Sequence, residues 1–184
     1  LVKLQLIHHI SRLFKFPNMK DAHYWIEKLN LQQHPEGGYF TETYRSKDRL
    51  HESKLPDRYQ TSRVFGTSIY FLLTTDSVSN FHRLNSDEIW HFHFGSVAKV
   101  HFIHKNGSHS EHLVGSNLEL GQRLQLVIPR GTWFAAEVIE GDYILLGCTV
   151  APGFEFEDFE LADRTELSSV YPQHQTLINS FTNN

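Results

Sequence analysis

Between Tyr39 and Ala151 the chain is cut at short intervals by turn residues, and this spacing constrains its fold more than any other feature. The breaks are Thr75-Asp76, Asn85-Ser86-Asp87, Asn106-Gly107, Gly115-Ser116-Asn117, Pro129-Arg130-Gly131 and Glu140-Gly141-Asp142. Between them lie runs such as "RVFGTSIYFLLTT", "EIWHFHF", "AKVHFIHK", "RLQLVI", "TWFAAEV" and "DYILLGCTVA". They are rich in β-branched and aromatic residues, which fit a pleated, half-buried surface, so each reads as a strand. Asn106-Gly107 between two such runs is a strong hairpin signal, because both residues tolerate the positive φ a tight turn needs. Short strands repeated at this spacing predict an all-β sandwich or small barrel.

The ends read differently. Asp21 is placed to cap a short helix over "AHYWIEKL", where Trp25 and Leu29 lie four apart on one face. "HPEGGYF" then breaks it with Pro35, Gly37 and Gly38. "LADRTELSSVYP" reads as a second short helix stopped by Pro172. No internal repeat or low-complexity linker divides the 184 residues, so one domain is expected. The segment 1–18 is expected to be an N-terminal extension, since the only methionine is Met19; a single Arg and a single Ser count against a targeting peptide. Residues 173–184 are expected to be a C-terminal tail.

Composition excludes several classes. Aromatic residues make up 13% of the chain, enough bulk for one substantial core, so the chain is not a disordered one. Cys148 is the only cysteine, so neither an intrachain disulfide nor a thiolate zinc site can form, and a cytoplasmic setting is expected. The first 20 residues carry four basic and no acidic residues, leaving 13 basic against 21 acidic ones in the remainder. So acidic a body does not bind a phosphate backbone, and no nucleic-acid partner is expected. No apolar run approaches the length of a membrane span, and no membrane association is expected.

The chemistry concentrates in "FHRLNSDEIWHFHFG", residues 81–95. Side chains alternate faces along a strand. Glu88, Trp90 and Phe92 therefore share one face, and Ile89, His91 and His93 the other. His82 and Leu84 share a face across the Asn85-Ser86-Asp87 turn, which can bring His82 opposite Glu88. A histidine and a carboxyl group in one apolar barrel perturb each other's titration, which is the raw material of acid/base chemistry. By the same alternation Glu42 and Tyr44 share a face of "YFTETYRS"; Tyr44 is a candidate proton donor and Glu42 its orienting partner. Arg63 is a candidate anion clamp. Trp90, Trp133 and Phe134 are candidate aromatic walls for a sugar or base.

These stretches resemble the cupins. His82, Glu88 and Gly95 match the first histidine, the glutamate and the closing glycine of the first cupin motif, while Leu84 stands where the second histidine belongs. In the second motif Pro129 and Gly131 match, but Phe134 replaces the histidine, Val138 replaces the asparagine, and Gly121 lies eight residues before Pro129. "HPEGGYFTETYRS", "SIYFLL", "PRGTWFAAE" and "CTVAPGFEFEDFELADR" narrow the resemblance to the branch known as cupin-5, or RmlC-like cupins, long catalogued as a domain of unknown function. The resemblance implies a jelly-roll barrel, the cupin double-stranded β-helix, over residues 19–172 with short terminal helices, and a homodimer.

A cupin metal centre draws on two histidines and a glutamate from the first motif and a histidine from the second. Leu84 and Phe134 cannot coordinate a metal, so no metal ligand and no cofactor is assigned. The function expected is a metal-independent epimerase- or isomerase-like activity on a small carbohydrate or nucleotide-sugar. His82 would be the general base, oriented by Glu88, with Tyr44 returning a proton from the other side of the ring. The alternatives are a non-catalytic nucleotide- or sugar-binding module, and a metal-dependent oxygenase or isomerase.

Overall fold

The computed structural model describes residues 20–183; the expected extension over 1–18 lies outside the described residues. Helix α1 (Ala22–Leu29) is capped by Asp21, whose side chain accepts the Tyr24 N–H at 2.8 Å, and it ends at Asn30 in the left-handed region (φ 52°). Its apolar face, Trp25 and Ile26 included, covers Leu31, Leu72, Tyr143 and Leu145. Among the described residues no helix is long and apolar enough to cross a membrane.

Antiparallel strands make up the body. They are β1 (Gln32–Gln33), β2 (Tyr39–Arg45), β3 (Arg49–Leu50), β4 (Arg63–Val64), β5 (Thr67–Thr74) and β6 (Val78–Leu84), followed by β7 (Asp87–Ile103), β8 (His109–Val114), β9 (Gln125–Ile128), β10 (Trp133–Ala151) and β11 (Phe159–Leu161). The Asn106-Gly107 turn joins β7 to β8, with Gly107 at φ 78°. Two strands are longer than the turn residues foretold. Gly141, read as a joint, lies inside β10, and "EIWHFHF" and "AKVHFIHK", read as separate strands, are parts of the single β7; both strands run on through register shifts. Bulges bend the strands there without ending them.

This bending builds the barrel. The first part of β10 pairs with β6 on one side and the second part of β7 on the other; its second part pairs with β5 and the first part of β7. Trp90, Phe71, Phe102, Phe134 and Leu146 fill the enclosed core. Phe81, Ile103, Trp133 and Ala135 point to the opposite face of the sheet.

That outer face is covered by the C-terminal segment. Helix α2 (Arg164–Val170) is capped by Asp163. Beyond Pro172 the chain does not trail off as a tail: a single 3-10 turn leads into helix α3 (Gln175–Ser180). Ile178 and Phe181 are buried with Leu167 against Trp133 and Phe81. Polar side chains dominate residues 173–184, so the segment reads as a tail from sequence; its two apolar anchors find an apolar sheet face that the sequence alone does not reveal. Ile178→Ala removes a fully buried side chain and is expected to cost about 2–5 kcal/mol in urea unfolding. A loss under about 0.5 kcal/mol would show that the segment is no part of the cooperative core.

Candidate functional site

One end of the barrel interior holds a cavity of about 110 Å³. Phe40 of β2, Phe71 of β5, Trp90 of β7 and Cys148 of β10 supply its apolar wall; four titratable side chains, His34, Glu36, His82 and Glu88, line its inner part, and Glu42, Arg45 and Glu155 line its more exposed end. His82 comes from β6 and Glu88 from β7, on opposite sides of the Asn85-Ser86 turn. His34 and Glu36 come from the loop between β1 and β2.

That loop reaches the site because of its glycines. Gly37 (φ 110°) and Gly38 (φ 70°) take backbone conformations that L side chains avoid. A Cβ on Gly37 would lie 2.0 Å from the Val78 carbonyl oxygen. The close approach presses the loop on β6 and sets Glu36 beside His82, with Asn80 N–H donating to the Glu36 carbonyl at 2.8 Å.

His82 therefore pairs with Glu36, not with Glu88 as the turn geometry led us to expect. Its Nε2 is 3.1 Å from Glu36 Oε2, and its Nδ1–H donates to the Asn80 carbonyl at 2.7 Å. His34 Nδ1 lies 3.2 Å from the same Glu36 oxygen, and Ser79 Oγ donates to the other at 2.9 Å. Both ring nitrogens of His82 are thus engaged by protein atoms, and neither is free to meet a ligand while these contacts hold.

The two carboxyl groups are tuned apart. Burial would raise the pKa of Glu36, but His82, His34 and the Ser79 hydroxyl outweigh burial and hold it below the usual value. Burial lowers the His82 pKa; Glu36 and the Asn80 carbonyl oppose this without reversing it. The two shifts disagree over the shared proton, since a charged Glu36 favours an imidazolium that a lowered His82 pKa withholds. Three groups converge on the Glu36 carboxylate, so negative charge on Glu36 is the direction the geometry supports, and the pair titrates as a unit. Glu88 goes the other way: burial first, then the Glu36 charge, push it to about 8, with the Trp90 indole and the Cys148 thiol partly offsetting. At neutral pH Glu88 is a neutral hydrogen-bond donor. Burial and the same two acids raise the Cys148 thiol well above its ordinary range, so it is no nucleophile. Trp90 Nε1 lies near Glu88, yet no acceptor meets hydrogen-bond geometry with it among the described residues. A buried indole N–H without a partner is rare, and a ligand acceptor would satisfy it.

Charged side chains and aromatic rings line the more exposed end of the cavity, its mouth. Arg45 bridges Glu42 (2.8 Å), Glu155 (2.9 Å) and the Phe154 carbonyl (3.2 Å). Phe154, Phe156 and Phe159 dock over the opening, and Phe159 pairs with Leu84.

Other candidates lie elsewhere. A register shift between Glu42 and Tyr44 breaks the alternation, so Glu42 lines the cavity while Tyr44 points to solvent, 57% exposed. Arg63 is no ligand clamp: it is buried, and its guanidinium is committed to Asp158 in a two-pronged ion pair (2.6 and 2.9 Å) outside the cavity. Trp133 packs on the outer face under α2 and α3, with Arg83 over its ring at 4.5 Å. Phe134 sits in the core behind His82, ring centroids 4.0 Å apart, and backs the site without lining it. His91 and His93 face outward; His91 Nδ1 meets the Gln125 amide at 3.1 Å.

Comparison with known proteins places this chain in a family. The model described as Cupin superfamily (DUF985), Cupin_5, matches residues 23–162. The chain belongs to this cupin family. It is similar to a protein of solved structure from Shewanella oneidensis, SO0799, with 37% identity over 90% of this chain and 99% of that one, TM-score 0.80. A hypothetical protein from Leishmania major superposes with TM-score 0.82 at 34% identity, over 89% and 99% of the two chains. The uncharacterized protein YML079W of Saccharomyces cerevisiae is 31% identical over 143 residues, 72% of this chain and 71% of its own length.

The barrel donors do not fit the usual cupin metal set. Leu84 and Phe134 occupy two ligand positions, and Glu36 and Asn80 hold both nitrogens of His82. Among the described residues, the group of three metal-ligating side chains whose donor atoms lie within 4.8 Å of one another is on a different face.

His34 and Glu36 were missed in the sequence because "HPEGGYF" reads as a helix breaker. The signal was there in a histidine and an acid two apart, next to two glycines that permit close backbone approach. Glu88 supplies the test of the electrostatics. A carboxyl group whose folded pKa is raised favours the fold while protonated, and that contribution is lost as pH rises from 4.5 through about 8. Glu88→Gln is therefore expected to match the parent protein in stability below pH 4.5 and to exceed it at pH 9 by several kcal/mol, on the order of 4. Urea titrations at the two pH values check this; an equal difference at both would refute the buried-acid assignment.

Proposed function

We propose that the chain catalyses an isomerase- or epimerase-type proton transfer on a small hydroxy-carbonyl compound of the carbohydrate class. The observation that supports this most is the pair of oppositely tuned carboxyl groups in one small cavity, Glu36 held ionised and Glu88 held protonated. Environments that drive two carboxyl groups apart assign base and acid. Glu36 takes the proton from the carbon next to the carbonyl. The C–H electrons form the carbon–carbon double bond, and Glu88 gives its proton to the carbonyl oxygen, leaving an enediol. Return of a proton to carbon from Glu36, and of a hydroxyl proton to Glu88, regenerates both groups.

This reading moves the base from His82 to Glu36. With both nitrogens engaged, His82 is a positioning residue that fixes the Glu36 carboxylate and its charge. Glu42 with Arg45 sits at the mouth, placed to meet the polar end of a substrate. Size also narrows the substrate. A cavity of about 110 Å³ is smaller than the roughly 150 Å³ that accommodates benzene, so a sugar fragment of a few carbons enters it, and a nucleotide moiety has to lie outside the mouth.

Incubation with small aldoses, ketoses and hydroxy acids in D₂O, followed by proton NMR, tests the reading. Deuterium is expected at the carbon next to the carbonyl for at least one compound. Glu36→Gln and Glu88→Gln are each expected to slow exchange about 100-fold or more. The rate should also fall as pH rises past about 8, where Glu88 loses its proton. Saturable binding without exchange would favour the non-catalytic module. Exchange unchanged in both variants would remove the proposal.

A further inference from the structure

On the outer face of the sheet, away from the barrel cavity, the β7–β8 hairpin gathers two histidines and a glutamate. The register sets His101 directly opposite Glu111, with His109 two residues along on the same face. Cross-strand neighbours at these positions are within side-chain reach. His101 Nδ1 is 3.2 Å from His109 Nε2 and 3.5 Å from Glu111 Oε1, and all three donor atoms lie within 4.8 Å of one another. His101 is buried, its ring against Phe181; His109 and Glu111 are exposed.

We propose that His101, His109 and Glu111 form a binding site for a borderline divalent transition-metal ion, Zn²⁺ being the type. The separations support it. A tetrahedral ion with ligands at about 2.1 Å has donor-to-donor edges of about 3.4 Å, and two of the three separations stand at 3.2 and 3.5 Å before any ion draws them together. Two imidazoles and a carboxylate suit zinc and its neighbours better than calcium or magnesium, which prefer oxygen alone. Glu137 Oε1 lies 3.4 Å from His101 Nε2, where it fixes the proton on that nitrogen and turns the Nδ1 lone pair toward the site. Lys99 approaches the other Glu111 oxygen, Oε2, at 3.6 Å and leaves Oε1 for the ion. Three protein ligands leave the fourth position to water, an open site reached from solvent past His109 and Glu111. The ion would tie β8 to β7 next to the C-terminal segment.

The site is independent of the barrel chemistry, and so is its test. Zn²⁺ alone is titrated calorimetrically into protein lacking a histidine tag, after chelator treatment and desalting. One saturable equivalent is expected, together with a rise in thermal midpoint, since a ligand that binds only the folded state stabilises it. The His109→Ala, Glu111→Ala double variant changes only exposed side chains; it should fold, lose the equivalent and lose the rise. Glu137→Gln, acting through His101, should weaken binding by about 10-fold or more. Absence of saturable binding overturns the proposal. So does an equivalent that survives the double variant, or one abolished by His82→Ala, which would place the ion in the barrel.

Discussion

The antiparallel ladder between β7 and β10 is the constraint on which the rest of the molecule depends. It runs from Asp87 opposite Ala151 to Ile103 opposite Trp133, and β5, β6, β8 and β9 all pair with one of its two strands. Because side chains alternate, the ladder also sorts chemistry by face. Glu88 and Trp90 go inward, His91 and His101 outward. A one-residue slip would empty the cavity of its acid and bring histidines in, so the buried Trp90, Phe102 and Phe134 hold the site by holding the register.

Inside, the physics is that of charge in a small apolar space. Two buried carboxyl groups share the cavity, and solvation there is too poor for both to ionise cheaply. Glu36 has two imidazoles and a hydroxyl around it and keeps its charge; Glu88 has an indole and a thiol and keeps its proton. Asymmetry of neighbours, not of residue type, separates the two. Two of the usual cupin metal positions are filled by Leu84 and Phe134, and the latter packs against the His82 ring at a 56° tilt. A hydrophobic contact stands where the ligand set would otherwise be completed.

Much of this was legible in the sequence, and the failures have physical causes. Strand alternation found the inward face of β7, and the Asn106-Gly107 turn found the hairpin. Alternation failed at Tyr44 because a bulge adds a residue that no composition signal marks. It failed to give His82 its partner because Glu36 arrives from a loop more than forty residues away in sequence. Arg63 looked like a free cation because its counter-charge, Asp158, lies on the other side of the barrel sequence. Trp133 was assigned to the cavity by type, but register, which only pairing partners fix, turns it outward. The outer His101 cluster was only half legible. Counting out from a two-residue Asn106-Gly107 turn pairs His101 with His112; the turn that forms, with His104 N–H bonded to the Ser108 carbonyl, shifts the register by one and sets His101 opposite Glu111.

The wall formed by Phe154, Phe156 and Phe159 carries a consequence for the birth of the protein. These residues are supplied by the last fifth of the chain, and Phe159 reaches the site only by adding a strand beside Leu84. A nascent chain that has emerged as far as Ala151 already holds every strand of the ladder and all four titratable groups, but the cavity has no roof. Until that wall arrives, water reaches Glu36 and Glu88: the neighbours that set the two apart are already in place, but the burial that drives Glu88 upward is incomplete. The enclosure of the site is therefore a later event in synthesis than the assembly of its polar groups.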